Sequence, residues 1–189
     1  MKLYATTLHG VLLLEPAVFG DERGWFMESF NEARFEAALS AAEQPLPRRF
    51  VQDNHSCSKA GVLRGLHYQL PPHAQGKLVR VVQGAAWDAV VDIRVGSPHF
   101  GRWFGVELNA ANRLQLWIPE GCAHGFVALQ DDTHFLYKTT DVYVRECERS
   151  IRWNDPAIGI EWPLPCAEPL VADKDAGAPL LAQADLPHP

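Results

Sequence analysis

One segment of the chain combines a histidine with two cations at short spacing. Residues 62–80 have the sequence VLRGLHYQLPPHAQGKLVR, in which His67 lies three residues after Arg64 and ten before Lys77. A base beside two cations is suited to removing a proton from a carbon next to a carbonyl, because the cations stabilise the enolate oxygen and any anionic group of the substrate. We interpret the segment as a candidate acid–base site, although a histidine in a strand is more often structural.

A second histidine, His124 in WIPEGCAHGF, raises the alternative of a metal site. Cupin-type barrels hold a metal with two histidines and a carboxylate from one strand–turn segment and a further histidine from a later strand. Here Gln69 occupies the position two residues after His67, and Lys77 would oppose a dication near a set of His67, His73 and His124. We therefore expect no metal and no cofactor.

Tyr137, in HFLYKTTDVYVRECE, is a candidate general acid. A phenol with a pKa near ~10 keeps its proton at neutral pH and can return it to a carbanion on the face opposite the base. Inversion at carbon needs such a two-sided arrangement. The alternative interpretation is a tyrosine of the barrel wall, which is common for an aromatic residue in a strand.

Two polar segments could recognise a nucleotide diphosphate. They are FGDERGWFMESFN, with Arg23 and Glu28, and FVQDNHS, with Gln52, Asp53 and Asn54. Arginine makes forked contacts to phosphate, and side-chain amides can bind the edge of a pyrimidine. Ordinary turn chemistry explains the same residues equally well.

Asp175, in VADKDAG, is a candidate partner for His67. A carboxylate bound to an imidazole raises its basicity and fixes its tautomer. On composition alone, a solvated tail is the favoured interpretation of this part of the chain.

The elements that must position these residues are short strands. Glycines and prolines, 14 of each, separate runs rich in valine, isoleucine, tryptophan and phenylalanine, which predicts an all-β sandwich or barrel. One segment, NEARFEAALSAAE, predicts a helix that Asn31 caps and that carries Phe35, Ala38, Leu39 and Ala42 on one stripe.

The bulk properties fit one domain. We expect residues 1–189 to form it, with a core of about 10–163 and a tail, 164–189, that packs on the barrel or is partly mobile. The formal net charge is −6 and no basic block occurs, which disfavours nucleic-acid binding.

Cysteine usage and hydropathy bear on location. None of the four cysteines forms a CxxC pair, so we expect reduced thiols: Cys57, Cys122, Cys147 and Cys166. The N-terminal sequence has no signal-peptide pattern and no stretch long enough to span a membrane. The expectation is a cytoplasmic protein.

Several of these motifs together resemble the dTDP-4-dehydrorhamnose 3,5-epimerase family. The resemblance runs from about Gly10 to Pro163, with a weaker match in the tail. It rests on the stretches FGDERGWFMESFN, QDNHS, GVLRGLHYQLPPHAQGKLVRVVQG, DIRVGSPHFG, LWIPEGCAHGF, YKTTDVY and WNDPAIGIEWP. Cys122, where phenylalanine is more usual, and Ala86-Trp87 depart from the pattern. The resemblance implies a cupin-like jelly roll with one or two short helices, no metal, and a homodimer.

The resemblance also implies residue roles. His67 would be the base, Tyr137 the acid, Lys77 the group that stabilises the enolate, and Asp175 the partner of His67, with Asp173 as the fallback. Tyr143 matches an aromatic residue expected to stack on the thymine. The other implied substrate-binding residues are Arg23, Glu28, Gln52, Asp53, Asn54, Arg64, His124, Glu148 and Lys174.

The implied reaction converts dTDP-4-dehydro-6-deoxy-D-glucose to dTDP-4-dehydro-L-rhamnose by epimerisation at carbons 3 and 5, in dTDP-L-rhamnose and polysaccharide biosynthesis. Lys77, with His124 if it donates, would hold the oxyanion of the enolate. The alternatives are an epimerase of one centre only, a metal-dependent cupin enzyme, and a sugar-nucleotide binding module without catalysis.

Overall fold

Short runs of β-branched and aromatic residues form the strands of this protein, as the sequence predicts. In residues 1–187, which the computed structural model describes, there are fourteen strands, two α-helices and two 3-10 turns. Their bounds are β1 Lys2–Ala5, β2 Leu12–Glu15, β3 Val18–Asp21, β4 Gly24–Met27, α1 Glu32–Ala41, β5 Gln52–Ser58, β6 Val62–Gln69, β7 Lys77–Gln83, β8 Ala85–Asp92, β9 Trp103–Asn109, β10 Gln115–Ile118, β11 Cys122–Ala128, β12 Thr133–Thr139, a 3-10 turn Arg145–Cys147, β13 Glu148–Ser150, β14 Leu170–Val171, α2 Asp173–Ala176 and a 3-10 turn Leu181–Gln183.

Two antiparallel sheets pack face to face as a jelly roll. The first sheet has the order β1-β2-β10-β7-β12-β5, and the second has the order β13-β6-β11-β8-β9, with β14 added parallel to β6. The core between them contains Val79, Leu116 and Phe135 from the first sheet and Val90 and Phe126 from the second. The prediction of an all-β fold is therefore confirmed.

The helix α1 covers part of the outer face of the first sheet. The side chain of Asn31 caps it by accepting a hydrogen bond from the Arg34 amide at 3.1 Å, as the sequence predicts. Phe35 and Leu39 are buried against Leu78 and other apolar residues of the sheet. The separate hairpin of β3 and β4 pairs with neither sheet.

A bulge in β6 brings two predicted site residues to one face. His67 lies opposite His124 on β11, but Arg64 lies opposite Phe126, so β6 has one extra residue in this stretch. Gly65 has a φ of 137°, and a Cβ there would lie 2.5 Å from the Cα of Gly125. Only glycine fits so close an approach, and the extra residue turns the side chains of Arg64 and His67 into the same cavity.

The C-terminal part of the described chain packs on the second sheet. β14 pairs with β6, and α2 follows it directly and contains the buried residue Asp175. Leu181 packs with Leu66, Ile93 and Ile151. These contacts bring a residue distant in sequence next to His67.

Candidate active site

A cavity of about 790 Å³ opens between the two sheets. Its volume is in the usual range for sites that bind small ligands. Most of the predicted site residues line it: Gln52, Asn54, Arg64, His67, Lys77, His124, Tyr137, Tyr143, Glu148, Lys174 and Asp175.

His67 is bound to Asp175. Its Nε2 lies 2.6 Å from Asp175 Oδ1, and the Gly65 amide donates to the other carboxylate oxygen at 3.2 Å. Burial raises the pKa of Asp175, but these hydrogen bonds and the charge of His67 outweigh it and hold the pKa below its ordinary value. Asp175 is therefore a carboxylate that accepts the Nε2 proton, which leaves Nδ1 of His67 able to take a proton. Asp175, and not Asp173, occupies this position.

Tyr137 lies on the wall opposite His67. It is on β12 of the first sheet, beside Asn54 and Val79, whereas His67 is on β6 of the second sheet. Burial raises the pKa of the Tyr137 phenol, and the nearby Arg64 acts against this shift. The phenol thus keeps its proton at neutral pH and lines the same cavity as His67.

Lys77 is buried at the floor of the cavity, with 7% of its surface exposed. Its Nζ donates to the backbone oxygen of His67 at 3.2 Å. Burial lowers the pKa of Lys77 to about 8, although the charges of Asp88 and Glu148 act against it. The ammonium form still predominates at neutral pH.

Asp88 was not among the sequence-predicted site residues. It is fully buried on β8, and its Oδ2 lies 2.8 Å from Nε2 of His124. Burial raises the pKa of Asp88, against the opposing effects of His124 and Lys77, and burial lowers the pKa of His124. A signal was present in the sequence, because Asp88 takes an inward position of β8 between the apolar Ala86 and Val90.

Three polar side chains form one rim of the cavity. The hydroxyl of Tyr143 donates to Glu148 at 3.1 Å, and the ammonium of Lys174 lies 3.0 Å from the other carboxylate oxygen. Burial raises the pKa of Glu148, but Lys174 and Tyr143 lower it to a net value below the ordinary one. The Tyr143 amide also donates to the side chain of Gln52 at 2.9 Å, which orients the loop that carries the aromatic ring.

Three predicted residues do not line this cavity. Arg23 is on the turn of the β3–β4 hairpin and pairs with Asp21. Glu28 pairs with Arg34 at 3.2 Å, and Asp53 binds Lys138 at 2.8 Å. The structure does not bring these residues together with His67.

The residues weighed for a metal site do not come together. Within residues 1–187, no three His, Cys, Asp or Glu side chains are grouped so that they could hold a metal ion. His73 has its Nδ1 3.4 Å from Asp141 and does not line the cavity. None of the helices described in that range is long and apolar enough to cross a membrane.

The two-sheet jelly roll, with an acid–base cavity between its sheets, is a cupin-like fold. The family model of dTDP-4-dehydrorhamnose 3,5-epimerase matches residues 5–183, and the chain belongs to this family. The dTDP-4-dehydrorhamnose 3,5-epimerase of Shigella flexneri is 54% identical over 185 residues, which is 98% of each chain.

Solved structures agree in fold. A dTDP-6-deoxy-D-glucose-3,5-epimerase from Legionella pneumophila, in complex with dTDP-4-keto-L-rhamnose, has a TM-score of 0.93 and 46% identity, covering 100% of this chain and 98% of that one. A 3'-monoepimerase from Streptomyces bikiniensis, in complex with dTDP-quinovose, has a TM-score of 0.83 and 36% identity, covering 94% of this chain and 86% of that one.

Proposed function

We propose that this protein converts dTDP-4-dehydro-6-deoxy-D-glucose to dTDP-4-dehydro-L-rhamnose by epimerisation at carbons 3 and 5. The observation that carries the proposal is the arrangement of His67, bound to the carboxylate of Asp175, and the protonated Tyr137 on opposite walls of one cavity. A base and an acid on opposite faces of a sugar ring can invert a carbon centre.

The keto group at carbon 4 acidifies the hydrogens on both neighbouring carbons. His67 removes one of these protons through Nδ1, and Asp175 stabilises the imidazolium that forms. The electron pair of the broken C–H bond moves to the carbonyl oxygen as an enolate. The ammonium of Lys77, in a cavity shielded from water, stabilises that oxygen.

Tyr137 completes each inversion. Its phenol donates a proton to the same carbon from the opposite face, so that the carbonyl re-forms with the configuration inverted. His67 then releases its proton to solvent and Tyr137 recovers one. A shift of the sugar ring brings the second carbon to the same base and acid.

The nucleotide part of the substrate would bind at the rim. Arg64 and Lys174 carry positive charge into the cavity and suit the diphosphate. Gln52 and Asn54 present amides that can bind a pyrimidine edge. Tyr143, half exposed at the mouth of the cavity, is available to stack on the thymine.

A homodimer is the second part of the proposal. The β3–β4 hairpin exposes Phe19 (65%), Phe26 (69%) and Trp25, and such aromatic patches mark contact surfaces. Strand β5 is at the edge of the first sheet and can pair with another strand. A hairpin docked on a partner would bring its Arg23 and Glu28 near the partner's cavity.

Domain organisation and location are also proposals. A single domain is supported by the contacts that β14, α2 and Leu181 make with the second sheet. A cytoplasmic location is supported by the four cysteines, which are free thiols. The acidic balance of the chain, with a net charge of −6, argues against nucleic acid as a partner.

Deuterium exchange tests the reaction. The protein is incubated with dTDP-4-dehydro-6-deoxy-D-glucose in deuterated water, and label at carbons 3 and 5 is followed by NMR. The proposal expects label and inversion at both carbons, no reaction with His67→Asn, and full activity with the exposed control His9→Asn. Label and inversion at one carbon only would support a single-centre epimerase, and label at neither would exclude epimerisation of this sugar.

A further inference from the structure

The mechanism above assigns no role to the buried carboxyl group of Asp88. Asp88 is 0% exposed, and its Oδ1 has no hydrogen-bond partner among the residues that the structure describes. An unpaired buried polar atom is costly, more so when it is charged, and each such atom in a native protein calls for an explanation. The other oxygen binds Nε2 of His124 at 2.8 Å.

The charges of three neighbouring groups determine the protonation state of this pair. Asp88, His124 and Lys77 are all buried and act on one another electrostatically. With Asp88 as carboxylate, His124 neutral and Lys77 as ammonium, their net charge is zero. Protonation of Asp88 or of His124 while Lys77 remains an ammonium would leave a net positive charge away from water, which is unfavourable.

That state determines what His124 can do in the cavity. Its Nε2 must carry the proton that binds the carboxylate, and a neutral imidazole then has a lone pair on Nδ1. Within the described residues Nδ1 has no protein partner, and His124 lines the cavity beside His67, its cross-strand neighbour on the same wall. His124 is thus an acceptor for a hydroxyl or ammonium, and not a donor to an enolate oxygen.

We propose, on the basis of the proposed function, that Asp88 is a positioning residue for the epimerisation. Its carboxylate holds His124 with Nδ1 as a hydrogen-bond acceptor toward a sugar hydroxyl, and it keeps Lys77 in the ammonium form that stabilises the enolate. The oxyanion is left to Lys77, and His124 orients the ring.

The effect on Lys77 has a defined sign. Lys77 has a pKa of about 8, and the charge of Asp88 raises it against the effect of burial. Loss of that charge lowers the pKa, so that the ammonium form is lost at a lower pH. The groups around Lys77 that contribute to its field or face it are Asp88, Glu148, Cys122, His124 and His67.

The first test is the pH dependence of kcat in Asp88→Asn, followed by the NMR assay. We expect kcat at pH 8 to fall by up to ~10²–10³, the limit set by complete loss of an oxyanion stabiliser. The alkaline limb should move to lower pH by ~1–3 units, the range typical of one nearby opposite charge. The control is Asp92→Asn on the same strand, buried but paired with Arg94 outside the cavity, and its alkaline limb should stay in place.

An active wild-type protein whose alkaline limb is unchanged by Asp88→Asn would overturn the proposal for Asp88 and leave the epimerase function standing. An inactive wild-type protein would instead contradict the function itself.

The second test does not depend on whether Asp88→Asn folds. Protein labelled with ¹⁵N-histidine is examined by long-range ¹H–¹⁵N NMR, and the His124 signals are assigned by their loss in His124→Asn. We expect the Nε2–H tautomer in the wild-type protein across neutral pH. An Nδ1–H tautomer or an imidazolium at position 124 would overturn the proposal whatever the activity.

Discussion

His67 and His124 lie opposite each other on neighbouring strands, and each binds a carboxylate through Nε2. They differ in burial, because the side chain of His67 is 25% exposed and that of His124 is 8% exposed. Exposure lets the imidazolium of His67 be solvated and exchange its proton, whereas burial opposes a charge on His124. The same residue type is therefore suited to proton transfer at one position and to orientation at the other.

Tyr137→Phe separates proton removal from proton return. The substitution removes the phenol and leaves His67 and Lys77 in place, so we expect product formation to fall by ~10²–10⁴. Deuterium exchange with retention of configuration should stay measurable by NMR, because His67 still removes a proton and can return a deuteron to the same face. Tyr4→Phe, at an exposed position of β1, is the matched control. Wild-type rates of both exchange and epimerisation in Tyr137→Phe would mean that another group supplies the proton.

Lys77→Met should stabilise the protein while it removes activity. The pKa of Lys77 is about 8 instead of its ordinary 10.5, so its burial lowers the free energy of unfolding at neutral pH. We expect the substitution to raise that free energy near pH 7 by up to about 3 kcal/mol, at about 1.4 kcal/mol per pKa unit, and to lower kcat by ~10²–10³.

The pH dependence of this gain follows from the direction of the shift. The unfolded chain binds more protons than the folded one between pH 8 and 10.5, so wild-type stability rises with pH across that window and the advantage of Lys77→Met shrinks. Urea unfolding from pH 7 to 10.5 measures it, with the exposed Lys59→Met as control. A gain in the free energy of unfolding that does not change with pH would show that the lowered pKa of Lys77 is not its cause.

At the scale of elements, the contact between β6 and β11 determines the composition of the cavity wall. A regular strand would send Arg64 and His67 to opposite faces, since residues three apart alternate. The bulge at Gly65 places both side chains in the cavity, and Gly125 allows the two backbones to approach. Gly65 and Gly125 together thus allow the close approach of β6 and β11.

Gly65→Ala tests that contact. The new Cβ would meet the backbone of Gly125 at 2.5 Å, whereas a Cβ at Gly24, which has a similar φ of 132°, would meet nothing within 4 Å. Both substitutions incur backbone strain, but only Gly65→Ala adds a steric clash. We expect it to lower the free energy of unfolding by about 1–3 kcal/mol more than Gly24→Ala does. Equal effects in urea unfolding would argue against the close approach.

For the whole molecule, an acidic protein has to bind a doubly charged anion. The net charge is −6, yet Arg64, Lys77 and Lys174 line the same cavity. Local cations act over a few ångströms, whereas the field of the distant acidic residues is screened by salt beyond about 8–10 Å. The three cations therefore dominate the electrostatic potential inside the cavity.

Mixing two inactive variants tests the proposed dimer. If Arg23 acts in the partner's cavity, a hybrid of Arg23→Ala and His67→Asn subunits has one site with both changes and one with neither. After subunit exchange, an equal mixture should show about a quarter of wild-type activity, because half of the dimers are hybrids with one intact site. Light scattering should give the mass of a dimer. A mixture as inactive as its parents would indicate that Arg23 acts within its own chain, and an active Arg23→Ala parent would show that Arg23 has no role.

Much of the site follows from local patterns. The strand-like run around His67 and the helix capped by Asn31 depend on neighbours in sequence, and both elements are present in the structure. The partner of Asp88 cannot be predicted from its neighbours in sequence, because an isolated acidic residue in a strand does not reveal which side chain it meets. Its partner His124 is on a different strand, at a distance in sequence that no local pattern encodes.

Residue types, strand periodicity and motif spacing, which are properties of neighbouring residues, already indicated an all-β fold with a base, an acid and a cation. The choice of Asp175 over Asp173, the bulge that turns Arg64 into the cavity and the burial of Asp88 depend on how distant segments pack. Packing and desolvation are cooperative properties of the folded chain, so the partners and pKa values of these groups exist only after the two sheets and the C-terminal segment have come together.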